Sequence, residues 1–246
     1  SSASAALSAT STVATSTPES NSTNNSGTDT MVVLLADPGV AVSPIPSGSP
    51  GTTVTTTLTL SNSGSATVTF TPQVVINGVV TNLAPVTLAP GQTSSQVISV
   101  PLTSTGATVT ANVTAPSVAD GNPANNTDTE VSGALYADVT TTVDLPPNAP
   151  AGTVITVTAT FANSATGGTA TTASAVVGTV TLSDGTQRTF TLGNLAPGAS
   201  VVQSFTTTVP NSSASAVLTA TSTVATSTPE SNSTNNSGTD TMVVLL

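Results

Sequence analysis

The stretch Ser1 to Leu35 returns at Ser212 to Leu246, identical apart from Ala6 against Val217 and Ser8 against Thr219. Two such blocks, 211 residues apart, mean that the chain ends where it began, as a window cut from a repeating array would. This periodicity predicts a polymer, either one long covalent chain or separate subunits that each lend a surplus end to a neighbour. Each block holds two apolar-alternating runs, Ala5 to Ala14 and Thr28 to Leu35 in the first copy, joined by a loop of Ser, Asn, Pro and Gly. That pattern is one hairpin. A lone two-stranded hairpin is marginal in water, so residues 1–35 are expected to be the C-terminal hairpin of a preceding repeat, a partial domain that must lie on something else.

Composition removes most chemistry. The 246 residues include no Lys, His, Cys or Trp, a single Arg at position 188, and a net charge of −10. Without imidazole or thiol there is no general base of the usual kind, no thiolate nucleophile and no common zinc ligand, so the chain is not expected to be an enzyme. One cation cannot neutralise a phosphate backbone, which argues against nucleic acid as a partner. No run of about 20 apolar residues spans a bilayer. Residue 1 is not Met, so the start is expected to be internal or processed, with any leader or anchor outside this window. The Thr, Ser, Ala, Val, Gly and Asn usage is that of secreted or surface β-proteins, and the expected location is extracellular or at the cell surface.

The rest of the chain reads as two copies of one β unit, residues 36–135 and 136–246. Val54, Thr56, Leu58 and Leu60 alternate with Thr55, Thr57, Thr59 and Ser61, the period-2 mark of a half-buried strand. A turn at Asn62-Ser63-Gly64 follows, then strands on either side of Asn77-Gly78, a pair suited to a type I′ turn because both central residues need positive φ. In the second copy Gly152 matches Gly51, so Ile155, Val157, Ala159 and Phe161 fall into the same inward phase and Asn163 falls on Asn62. Asp184-Gly185 stands in for Asn77-Gly78, and Leu195-Ala196-Pro197-Gly198 answers Leu88-Ala89-Pro90-Gly91. Near the end of each copy an acid-x-Asn-x-x-Asn-Asn run recurs, at Asp120 to Asn126 and Glu230 to Asn236, and again at Glu19 to Asn25 in the leading block. Asn side chains bond nearby backbone amides and tolerate left-handed φ, so the run can fix a long turn.

Short antiparallel strands with turn signals every 8 to 12 residues, and no helical period, predict an all-β chain of tandem immunoglobulin-like antiparallel β-sandwiches in a linear array. The alternating strands, the Leu-Ala-Pro-Gly-x-[Ser/Thr] corners and the Asn-rich hairpin resemble the conserved-repeat and CARDB-type Ig-like domains of prokaryotic surface proteins. That resemblance implies domains strung together in secreted or wall-associated stalks, adhesins or filaments. The chain departs from antibody domains in lacking the Cys pair and the core Trp.

The apolar set is mostly Val, Ala, Leu and Thr, with four Phe and one Tyr, which predicts a thin core helped by neighbouring domains. Short connections at Ser132 to Asp138 and Val33 to Asp37 predict a stiff rod advancing about 35 to 40 Å per domain. Calcium is the one ion this composition suits, and Asp120, Asn122, Asn125, Asp128 and Glu130 are its candidate ligands, set against an ordinary Asn-rich turn. No catalytic or cofactor-binding residue is expected. Arg188 is read as an edge cation or as the partner of a neighbouring carboxylate, and Tyr136 as a core residue or a wedge. Acceptor patterns for N-glycosylation occur at Asn21, Asn24, Asn112, Asn125, Asn211, Asn232 and Asn235.

These readings converge on the structural repeat unit of an extracellular filament or surface stalk. The alternative is an adhesin module binding glycans or proteins through its loops. The expected partners are copies of itself end to end, in one continuous chain or as a homopolymer. The continuous chain is the preferred form, because residues 212–246 already supply the last hairpin of residues 136–246 and leave a donor copy no vacancy.

Overall fold

The computed structural model describes residues 4–114, 116–211 and 216–246. All of its regular elements are strands apart from one short 3-10 turn, Pro123–Asn125. Among the described residues no helix is long and apolar enough to cross a membrane. The chain divides into two compact units: Ser1–Pro46, Thr53–Pro101 and Ala107–Ser132 form the first, and Ser47–Thr52, Leu102–Gly106 and Gly133–Leu246 the second.

The first unit begins with a two-stranded antiparallel sheet, β1 (Ser4–Thr12) and β2 (Ser26–Leu34). A three-stranded sheet follows in the order β3 (Pro38–Val42), β4 (Thr53–Asn62), β8 (Thr93–Pro101). A further sheet runs β10 (Thr127–Ser132), β9 (Ala107–Thr114), β5 (Val68–Ile76), β6 (Val79–Asn82), with β7 (Val86–Leu88) also on β5. The period-2 reading of β4 holds: Thr56, Leu58, Leu60 and Asn62 are buried. From the other sheet Val68, Phe70, Val74, Val109 and Ala111 are buried as well. Pro38 opens β3, an edge strand, where the missing N–H costs no ladder bond.

The second unit repeats this plan. One sheet runs β11 (Val139–Asp144), β13 (Val154–Asn163), β16 (Ser200–Thr208). The other runs β12 (Asn148–Pro150), β18 (Ser237–Leu245), β17 (Ala216–Ala225), β14 (Ala173–Leu182), β15 (Gln187–Leu195), with β12 parallel to β18. Val139, Val157, Phe161, Val176, Val180, Leu218 and Met242 share one core drawn from both sheets. Alternating strands with one apolar face have no other way to hide it, and the result is a β-sandwich.

Turn chemistry separates the two copies at one hairpin. Asn77 and Gly78 both take positive φ, 50° and 84°, as a two-residue type I′ turn requires. At the corresponding place only Gly185 is positive, at 92°, and the Leu182 N–H donates to the Thr186 carbonyl around a three-residue loop. Aspartate at 184 accepts the Thr186 N–H through Oδ1, which holds the longer loop without a left-handed residue at that position.

Candidate functional site

The acid-x-Asn-x-x-Asn-Asn loops act as clamps. In the first unit Asn126 Nδ2 donates to Asp120 Oδ2 at 2.6 Å, which closes the loop on itself. Asn125 Nδ2 donates to Asp37 Oδ1 at 2.8 Å, which ties the loop to the strand that opens the sandwich. The second unit repeats both bonds, Asn236 to Glu230 at 3.1 Å and Asn235 to Asp138 at 2.8 Å. One strand further, Asp128 Oδ2 accepts the Val42 N–H, and Asp240 Oδ2 accepts the Leu145 N–H, each at 2.7 Å. Burial raises the Glu230 carboxyl above its ordinary value of 4.5; the Asn236 bond lowers it, and the charge of Asp138 adds to the rise.

A second node was invisible as such in the sequence. Asn62 reads as a turn residue, yet it is buried, accepts the Asp37 and Gly64 N–H groups, and donates to the Ala66 and Leu88 carbonyls. Asn163 does the same with Asp138, Ala165, Thr171 and Leu195. Each asparagine thus replaces water for four backbone groups in the interior.

Against this frame the two copies of the duplicated hairpin part company. Strands β17–β18 close the second sandwich, whereas β1–β2 form a sheet of their own. Their registers are the same: Leu7 faces Met31 and Ser11 faces Gly27, as Leu218 faces Met242 and Ser222 faces Gly238. Exposure is not. Leu7, Val13 and Met31 are 59%, 64% and 58% exposed, and their counterparts Leu218, Val224 and Met242 are 2%, 5% and 1% exposed. A Cβ on Gly238 would meet the Thr141 carbonyl oxygen at 2.7 Å, because β11 crosses there; on Gly27 it would meet nothing nearer than the Ser11 hydroxyl at 3.8 Å. Asn25 still closes its loop onto Glu19, but among the described residues no partner meets the Asn24 side chain, and Asp29 accepts only from the adjacent Thr30 N–H. A shallow hollow lined by Ala9, Ser11, Gly27 and Asp29 lies open on this sheet. The apolar row, Gly27, Asn24 and Asp29, whose counterparts meet the sandwich in the seated hairpin, are therefore present on the free one without those sandwich contacts.

Residues 136–240 match the CARDB family model. They carry a CARDB domain, the bacterial surface-protein Ig-like type that the corner and hairpin motifs resembled. No curated protein matches the chain. Among solved structures, red sea bream transglutaminase is 12% identical at a TM-score of 0.35, over 85% of this chain and 31% of that one. The native conformation of E. coli alpha-2-macroglobulin is 12% identical at 0.31, over 92% of this chain and 18% of that one. The chain thus spans less than a third of either, and at these TM-scores neither likeness bears on its function.

The CARDB domain contains Arg188 and Tyr136. Arg188 is exposed and lies 5.6 Å from the centroid of the Phe205 ring, at the end of a tilted run through Phe190 to Phe161. Among the described residues Arg188 meets that π face and donates through Nη1 to the Gln187 carbonyl. Tyr136 is half-buried and its hydroxyl donates to the Ser104 carbonyl at 2.6 Å, within the second compact unit.

The calcium candidates are spread over different bonds. Asp120 accepts from Asn122 N–H and from Asn126, Asn125 is held by Asp37, and Asp128 accepts from Val42 and Thr129. Glu130 lies on β10 opposite Val109, away from that loop. Among the described residues no three His, Cys, Asp or Glu side chains converge, although the Oδ1 atoms of Asn125 and Asn126 are buried without a donor. Of the glycosylation acceptors, Asn125 and Asn235 have their amide nitrogens committed to Asp37 and Asp138.

What the sequence does not announce is the clamping role of four carboxylates, Asp37 with Asp138, and Asp128, named above as a calcium candidate, with Asp240. The first pair shares an Ala-Asp step at the head of each copy, a signal that was available. The second pair stands at different distances from its Asn-Asn, so no fixed spacing reveals it.

Proposed function

We infer that this chain is the structural repeat unit of an extracellular filament or surface stalk, built from tandem Ig-like domains and carrying no catalysis. The observation that carries this reading is the duplicated hairpin, seated in one sandwich and solvent-exposed in its other copy. A chain folded for itself alone has no use for a second closing hairpin, whereas a repeating array needs one at every step. The CARDB match supports a surface-protein setting, and the acidic surface keeps neighbouring fibres apart at low salt. Copies of the unit follow one another in a continuous chain, and sheet hydrogen bonds carry length and load.

The test is the mass of the fully denatured material from its source, read together with electron microscopy of the cell surface labelled by an antibody to residues 136–246. Labelled fibres and a species far above 23.7 kDa are expected. Label confined to the cell interior, with no fibre, would overturn the filament. A single 23.7 kDa band from labelled fibres would replace the continuous chain by separate subunits.

A further inference from the structure

We propose that the β1–β2 hairpin is the closing surface of the preceding copy in the array, seating on that copy's β11–β16 framework and supplying its last two strands. This deepens the filament reading and rests on it. The complement of the surface is visible in the molecule itself, because β17–β18 show what the same residues do when covered. Leu218, Ala220, Val224 and Met242 pack into the core formed with β11, β13 and β14, and Leu7, Ala9, Val13 and Met31 offer the same row to solvent.

The polar groups specify register as well as partner. Asn24 lacks the carboxylate that Asp138 gives Asn235, and Asp29 lacks the backbone N–H that Leu145 gives Asp240. Gly27 leaves the gap through which β11 passes at Gly238. The two differences between the copies support the same surface. Val217 is exposed and Thr219 half-buried, and both lie on the opposite side of the strand from Leu218 and Ala220. The substitutions at 6 and 8 therefore leave the docking face unchanged, and the hairpin already holds the register of its seated twin.

In an intact copy β17–β18 occupy the framework, so the experiment evicts them. The full chain carrying Leu218→Asp is labelled with 13C-methyl methionine, and its two methyl signals report Met31 and Met242 separately. Sedimentation is expected to show head-to-tail assemblies that lengthen with concentration, while the Met31 signal moves to the position Met242 has in the wild type. Adding Leu7→Asp should return monomers with Met31 exposed. A synthetic peptide of residues 1–35, added to that double variant, should restore a cooperative transition of the second unit, and a Leu7→Asp peptide should bind about 100-fold or more weakly. The proposal is overturned if Leu218→Asp stays monomeric with Met31 exposed and the peptide restores nothing. It is equally overturned if a monomer buries Met31, which would seat the hairpin in its own chain. Neither result touches the cell-surface test of the filament, so the two readings can fail separately.

Discussion

One substitution made at two places isolates what burial contributes, because the surrounding sequence is its own control. Leu218→Ala removes a side chain that is 2% exposed, lies opposite Met242 and belongs to the core of the second unit, and large-to-small changes in such cores cost about 2–5 kcal/mol. Leu7→Ala removes the same side chain from a face open to water, where the expected change lies within about 0.5 kcal/mol. For a unit of this size each kcal/mol moves the midpoint by about 4–8 °C, so Leu218→Ala should lower the melting of the second unit by about 10 °C or more. A chain of two units does not melt as one two-state step, so the probe must be local. The methyl signals of Met31 and Met242 provide it, one in each hairpin copy. In dilute solution the Met242 melt should fall in Leu218→Ala and be unmoved in Leu7→Ala. Equal losses from the two substitutions in the monomer would refute the reasoning, since they would mean that the β1–β2 face is already covered.

Asn163→Ala strands four interior backbone groups, the N–H groups of Asp138 and Ala165 and the carbonyls of Thr171 and Leu195, and should destabilise the second unit by about 3–5 kcal/mol in urea unfolding followed by Met242. Gly238→Ala forces a methyl against the β11 backbone and should cost about 1–3 kcal/mol in the same melt, while Gly27→Ala should leave the free chain within about 0.5 kcal/mol of wild type. The raised Glu230 carboxyl means that the folded state binds its proton more tightly than the unfolded chain does. The resulting stability is present below the ordinary value of 4.5 and lost as the pH rises through the higher folded value. Glu230→Gln keeps an acceptor for Asn236 and should flatten that part of the stability profile; an unchanged profile would show that Glu230 is not its source.

The strand plan was legible because its cause is local. Alternation in Val54 to Leu60 and Ile155 to Phe161 fixes which face turns inward, and Asn77-Gly78 fixes a turn by backbone sterics alone. The duplicated hairpin was legible as a repeat, and its amphipathic runs required a surface to lie on. The clamps were harder to read, because an asparagine announces only that it can satisfy backbone groups. Whether Asn62 punctuates a turn or serves four interior groups depends on Asp37 and Leu88, both more than twenty residues away. The bonds of the Asn-rich turn are hidden for the same reason: Asp120 and Asp128 look like free carboxylates until Asn126 and the Val42 N–H are brought to them.

The two hairpins also show how little of the seated conformation depends on being seated. The β1–β2 pair, two strands of nine residues, holds the register and the Asn25 to Glu19 loop closure of its twin without a sandwich beneath it. What covering adds is burial of the Leu, Val and Met row and the two long-range bonds of Asn24 and Asp29. A hairpin whose backbone is already arranged loses less chain entropy on docking than a disordered strand would, so more of the apolar gain remains as affinity. The closing loop thus does two jobs in sequence order: Glu19 and Asn25 shape the donor before contact, and Asn24 is left open to recognise the aspartate at the head of the sandwich it closes.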